Sequence, residues 1–257
     1  MGFTLAIGTA KGAWIGRSDD RRSWKLDGPY LKGWEVNTFG RGPDGSWLAT
    51  TGSSWYGAAI HRSDDTRTWT QIVDGPSYEG AEDGRKLARV WTLATVGDTI
   101  FAGVADAGLF RSDDTGSHWV PVDGFNEHAT RPGWQPGAGG LAAHRLLADP
   151  QNPERMWLGV SAVGVFRTVD GGAAWELVND GVPAVVVDDA QPEIGFCVHS
   201  LVADPADADT IWRQDHAGVF RTSDGGDRWE RIENGLPAGF GFPITRDPST
   251  GRRSSFA

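Results

Sequence analysis

The sequence predicts an all-β chain, a β-propeller of four-stranded antiparallel blades, five in number. Three observations carry this. A turn motif running from Arg to Trp occurs five times, and self-similarity at a fixed period marks a repeat architecture. The closing tryptophans, Trp24, Trp69, Trp119, Trp175 and Trp229, stand 45, 50, 56 and 54 residues apart, a period that suits one blade. Thirty-six glycines and fourteen prolines in 257 residues, 39% of them hydrophobic, fit many short strands joined by tight turns.

The full-length copies of the motif are Arg111-Ser112-Asp113-Asp114-Thr115-Gly116-Ser117-His118-Trp119, Arg167-Thr168-Val169-Asp170-Gly171-Gly172-Ala173-Ala174-Trp175 and the segment from Arg221 to Trp229. Two copies, Arg17-Ser18-Asp19-Asp20 to Trp24 and Arg62-Ser63-Asp64-Asp65 to Trp69, lack the glycine and are one residue shorter. Ser, Thr and Asp side chains hydrogen-bond nearby backbone amides, and Gly accepts positive φ. Those residue types assign the motif to turn geometry, with the Trp packing between sheets. Asp114, Asp170 and Asp224 are therefore expected to hold turns and not to catalyse.

The strands follow from the spacing within each period. In the fourth, His144–Ala148 reads as a first strand, Asp149-Pro150 as a turn, Met156–Val160 as a second strand, Gly164–Arg167 as a third and Trp175–Val178 as a fourth. The fifth period repeats this from His199 to Ile232. The first period opens with a second-type strand, Thr4–Gly8, and so lacks an innermost strand. The segment Phe242–Pro248 matches the strand and Asp-Pro turn that open the other blades. It is expected to pair with the N-terminal strand and close blade one, removing two exposed edges. The competing arrangement is a larger propeller of which this chain is a part, because Ser249–Ala257 fits no repeat. Residues 1–257 are treated as a single propeller domain.

Composition narrows the partners. A formal net charge of −10 argues against nucleic acid, which requires clustered Lys and Arg. No window reaches the roughly 18 apolar residues that span a bilayer, so no membrane partner is expected. Cys197 is the single cysteine, which excludes an internal disulfide, and Met1–Ile7 shows no basic segment followed by an apolar stretch. The cytoplasm is the expected location. No cofactor is assigned and no metal-binding motif stands out.

The motif face carries short, repetitive turns, whereas the opposite face carries the long loops Asp74–Ala88, Asp123–Leu141 and Asn179–Phe196, where function concentrates. That face collects Trp55, Tyr56, Tyr78, Phe125, Trp134 and Phe196 together with Glu79, Glu82, Asp83, Asp106, Glu127, Asp188, Asp189, Glu193 and Asp215. Aromatic faces stack on sugars and paired acids do acid–base work. The same residues serve equally well as packing for their own loops and as solvated charge. Aligning the Asp-Pro turns puts Trp91, His144, His199 and Phe242 at equivalent positions near the start of innermost strands, with Asn37 as the match in the second blade. His216 sits in the next loop of the fifth period, within reach of His199. Metal ligation, proton transfer and plain backbone hydrogen bonding are all open to these histidines.

The pattern Ser/Thr-x-Asp-x-Gly-x-x-Trp after Gly-Val-Phe-Arg resembles the BNR or Asp-box repeat of sialidases, sortilin-type receptors and xyloglucanase-like glycosidases. The resemblance covers nearly the whole chain. Trp134–Gly140 and Cys197-Val198-His199 further resemble bacterial proteins labelled glycosyl hydrolases. A sialidase likeness implies an arginine cluster, a tyrosine nucleophile and an acid. Only Tyr30, Tyr56 and Tyr78 are present, the N-terminal Arg-Ile-Pro element is missing, and Arg85, Arg89, Arg131 and Arg213 show no triad spacing. The xyloglucanase likeness implies acids from two tandem propellers facing a cleft, whereas this chain offers one.

Two functions are carried forward. The first is a non-catalytic binding propeller whose loop face engages a glycan, a small molecule or a protein through Trp55, Tyr56, Trp91, Trp134, His144, His199 and His216. The alternative is a glycoside hydrolase, xyloglucanase-like more than sialidase-like, with Glu193 and Asp215 as its two carboxyl groups.

Overall fold

The computed structural model describes residues 2–80, 84–185, 193–246 and 253–255. It forms two compact units, Met1–Ala105 with Phe110–Val120, and Asp106–Leu109 with Pro121–Ala257. The architecture is a β-propeller built of consecutive antiparallel sheets.

The first sheet holds β1 (Phe3–Thr9), β2 (Gly12–Ser18) and β3 (Lys25–Tyr30). The second holds β4 (Glu35–Arg41), β5 (Trp47–Ser53), β6 (Gly57–Ser63) and β7 (Thr70–Gln71), and the third β8 (Val90–Val96), β9 (Thr99–Val104), β10 (Gly108–Ser112) and β11 (Val120–Pro121). The fourth comprises β12 (Ala142–Ala148), β13 (Met156–Ser161), β14 (Gly164–Thr168) and β15 (Glu176–Leu177). The fifth comprises β16 (Val198–Asp204), β17 (Asp207–Asp215), β18 (Gly218–Thr222) and β19 (Glu230–Arg231). A short helix α1 (Asp123–Asn126) and a 3-10 turn (Arg131–Gly133) interrupt the loop between the third and fourth sheets. No helix among the described residues is long and apolar enough to cross a membrane.

In the four-stranded sheets the second and third strands are the most buried; in the first sheet it is β2. Residues Ile100–Val104 of β9 and Met156–Val160 of β13 are buried throughout. The two-residue fourth strands are mostly exposed. In the first unit β1 packs on β4 and β4 on β8; in the second, β12 packs on β16 and β16 on β20 (Ile244–Arg246). Trp157, Val165, Leu201, Phe220 and Trp229 form the apolar core between the fourth and fifth sheets.

The repeated turns carry the bonds their residue types predict. Thr168 donates its hydroxyl to Asp170 (2.7 Å) and accepts from the Gly172 N–H (3.0 Å), while Asp170 accepts from the Ala174 N–H (2.9 Å). Ser112, Asp114 and His118 repeat that pattern, as do Thr222, Asp224 and Arg228. Backbone N–H groups of residues just downstream hold the Asp20, Asp65, Asp114 and Asp170 carboxyls below the usual range, Asp65 at about 2. The arginine that opens the motif does a second job. Arg17 donates to the Thr66 hydroxyl (2.5 Å), Arg62 to the Thr115 hydroxyl (3.2 Å) and Arg167 to the Gly225 carbonyl (3.1 Å). In each case the acceptor is the fifth residue of the following motif, so the repeat stitches neighbouring sheets together.

One expectation is corrected. The C-terminal strand β20 does not join the first sheet, which has three strands; β20 pairs with β21 (Arg253–Ser255), Ile244 opposite Ser255. The apolar contact decides this, since Ile244 is buried against Trp212 and Val219 of the fifth sheet. β20 stands to β16 as β16 stands to β12.

Candidate functional site

The innermost strands share a distortion that aims side chains. In β4, β8, β12 and β16 the register slips by one residue, between Val36 and Thr38, Val90 and Thr92, Ala143 and Arg145, and Val198 and Ser200. The skipped residues are Asn37, Trp91, His144 and His199, four of the five that the Asp-Pro alignment matches. A β-bulge leaves one residue unpaired and re-aims its side chain, so these positions are built to point out of the ladder.

In the second unit the bulge histidines reach backbone carbonyls of the following segment, in β16 for His144 and just ahead of β20 for His199. His144 donates Nε2–H to the Val198 carbonyl (2.7 Å), and His199 donates Nδ1–H to the Gly241 carbonyl (2.6 Å). The half-buried His144 ring is pushed down to about 4 by desolvation, which keeps it neutral. His199 uses the other nitrogen, and its Nε2 faces Cys197 Sγ at 3.7 Å. His216 stands edge-on to His199 at 5.7 Å between ring centres, and Phe242 stacks on the other side at 4.7 Å. The His216 N–H donates to the Cys197 carbonyl (2.9 Å), which pins the two residues across the β16–β17 hairpin. Burial pushes the Cys197 thiol up.

Asp215 is not available to a substrate. It is completely buried, as is Arg213. Arg213 donates Nε–H (2.9 Å) and Nη2–H (2.5 Å) to Asp215 Oδ2, and Nη1–H to Asn179 Oδ1 (2.7 Å), while Asp215 Oδ1 accepts from the Ala217 N–H (3.0 Å). The guanidinium lies between the Phe196 and Trp229 rings, 5.6 and 5.7 Å from their centres. The carboxylate expected as one half of a catalytic pair is therefore the counter-ion of a core arginine. Trp134 is likewise a core residue: it is buried, donates Nε1–H to the Thr130 hydroxyl (3.0 Å) and packs on Phe125 and Phe166. Phe125 and Phe196 are buried as well, and Tyr78 packs on Phe110. The aromatics of the long loops mainly hold those loops down. Glu82, Asp83, Asp188 and Asp189 lie outside the described residues.

Glu193 is exposed and lines a cleft of about 930 Å³ with His128, Thr130, Trp175, Glu176 and Asp180. Glu176 is held by Arg167 (2.8 Å), whereas the Asp180 carboxylate meets the exposed Arg228 at 3.4 Å. His128 has both ring nitrogens engaged, Nδ1 with the Thr130 hydroxyl (2.8 Å) and Nε2 with the Trp175 carbonyl (3.2 Å). Sequence reasoning passed over His128, Glu176 and Asp180. Asp180 is the one with a readable signal, since it sits before Gly181 at the start of a long loop.

In the first unit, Trp55 and Tyr56 are 89% and 78% exposed on the β5–β6 turn. Tyr56 leans on Trp34 at 5.7 Å. Trp91 is partly exposed beneath the Arg89 guanidinium, itself paired with Glu35 (3.1 Å). The arginines of the loop face serve structure: Arg131 donates to the Asp106 and Ala107 carbonyls at 2.7 and 2.9 Å, and Arg213 is buried.

Comparison with known proteins agrees with the fold. No family model matches the chain. It is 31% identical over 105 residues to the oligoxyloglucan-reducing end-specific xyloglucanase of Emericella nidulans, a match covering 40% of this chain and 12% of that protein. Among solved structures it resembles a GH74 enzyme from Niastella koreensis, with a TM-score of 0.63 at 19% identity over 96% of this chain and 38% of that one. It also resembles the GH74 xyloglucanase of Xanthomonas campestris, with a TM-score of 0.51 at 18% identity over 98% and 51%. The chain thus spans about half or less of the length of each of these relatives. These likenesses establish the β-propeller fold.

Proposed function

We propose that the chain is a xyloglucanase-like glycoside hydrolase whose cleft around Glu193 receives a glucan. The similarity to the Emericella nidulans xyloglucanase carries the reading. The cleft supports it chemically. Glycoside hydrolysis needs two carboxyl groups flanking the scissile bond, about 5–5.5 Å apart with retention and about 6.5–9.5 Å apart with inversion. Among the described residues, Glu193 and Asp180 are the two carboxylates of the cleft not tied to a partly buried arginine, so Asp180 takes the place that sequence reasoning assigns to Asp215. The five repeated turns support placing the chain among Asp-box repeat proteins.

The test is release of reducing ends from xyloglucan oligosaccharides between about pH 4 and 8, the range in which a carboxyl acid and base operate. Glu193→Gln should lower turnover roughly 100-fold or more, with Asp180→Asn close behind. Turnover indifferent to both would move the chemistry elsewhere. A second reading, a binding propeller without turnover, is favoured by the exposed Trp55–Tyr56 pair, because an aromatic face open to solvent suits sugar stacking. Saturable binding of the same oligosaccharides, lost in Trp55→Ala and unaccompanied by turnover, would select it.

A further inference from the structure

We propose that Cys197, His199 and His216 form a zinc site with one coordination position left open to water or a substrate oxygen. Their ligand atoms lie within 4.8 Å of one another. Zinc bonds thiolate at about 2.3 Å and imidazole at about 2.0–2.1 Å, which in a tetrahedron separates S from N by about 3.6 Å. Cys197 Sγ and His199 Nε2 are 3.7 Å apart, already at that spacing.

The supporting bonds are those a metal-binding histidine needs. A ligating imidazole donates its other N–H to a carbonyl or carboxylate, which fixes tautomer and orientation. His199 does this through Nδ1–H to Gly241, leaving the Nε2 lone pair toward Cys197. Its counterpart His144 spends Nε2–H on Val198, so the geometry is particular to the fifth sheet. His216 is held at the backbone by Cys197, and a rotation of its exposed ring brings in the third ligand. Phe240 and Phe242 wall the cluster, with ring centres 5.1 Å from His216 and 4.7 Å from His199. Both are exposed, which leaves an approach from solvent. One thiolate and two imidazoles suit zinc, and three protein ligands leave the fourth position open. Binding releases the thiol proton.

The experiment titrates zinc(II) into the chelator-stripped full chain against a competing chromogenic chelator, with cobalt(II) as a spectroscopic substitute. One equivalent should bind, and cobalt should give a thiolate charge-transfer band together with four-coordinate visible absorption. Cys197→Ser and His216→Ala should each weaken zinc by more than the roughly 10–100-fold that losing an outer hydrogen-bond partner costs. His118→Ala, at an exposed histidine beside Asp114 and Asp74, should change nothing. His216 is exposed, so its variant keeps the fold and carries the test even where Cys197→Ser does not. Absence of a saturating equivalent, an equivalent that survives His216→Ala, or one lost in His118→Ala would each overturn the site.

Discussion

Replacing Asp215 with asparagine preserves the volume of the side chain and removes its charge, leaving the Arg213 guanidinium buried without a counter-ion. Both side chains are wholly inaccessible, so solvent cannot compensate. Removing one partner of a buried pair costs about 3–5 kcal/mol. Asparagine retains an oxygen that can accept from Arg213 Nη2 or from the Ala217 N–H, which places the expected loss near the lower figure. About 3 kcal/mol corresponds to a fall in Tm of roughly 6–12 °C for a chain of this size. Denaturant unfolding followed by circular dichroism reads the free energy directly. The double variant Arg213→Leu with Asp215→Leu should be less destabilised than Asp215→Asn, because an apolar pair leaves no orphaned charge. An Asp215→Asn protein that unfolds with the parent free energy but loses turnover would refute the argument and return Asp215 to the active site.

Two further outcomes follow from the structure. Gly171 occupies the left-handed region at φ 71°, and a Cβ added there meets no atom within 4 Å, so Gly171→Ala should cost only the backbone penalty of roughly 1–2 kcal/mol; no change in the denaturation midpoint would contradict that. His61 is buried against Trp34, and desolvation lowers it to about 4. Below its ordinary value near 6.5 the unfolded chain binds a proton that the folded chain refuses, so stability is full above about pH 6.5 and falls toward pH 4. His61→Gln should flatten that fall, leaving the His144 contribution in the same window and the losses from the turn carboxylates below about pH 4; an unchanged slope would show that His61 is already protonated in the folded protein.

Much of the fold was legible because its defining bonds are local. In the fourth sheet the expected strands His144–Ala148, Met156–Val160, Gly164–Arg167 and Trp175–Val178 differ from the observed ones by no more than two residues at any end. The turn bonds of Thr168 and Asp170 join residues at most four apart, so residue type and spacing contain the whole interaction. The equivalence of Asn37, Trp91, His144 and His199 was readable for the same reason, although not that each would be a bulge. Candidate site residues fared differently. Trp134 and Asp215 have the composition of a sugar site, yet neighbouring chain covers both.

By itself, then, the sequence determined the all-β class, the repeat, the order of strands within each blade and the short-range bonds of the turns, since all of these act over a few residues. The approach of His216 to His199 was legible as well, but tertiary structure alone decided which carboxylates meet solvent, that β20 pairs with β21, and that His199 turns its Nε2 toward Cys197. Those outcomes rest on burial and on contacts between segments distant along the chain, such as Ile244 on Trp212 and His199 on Gly241, which no local spacing encodes.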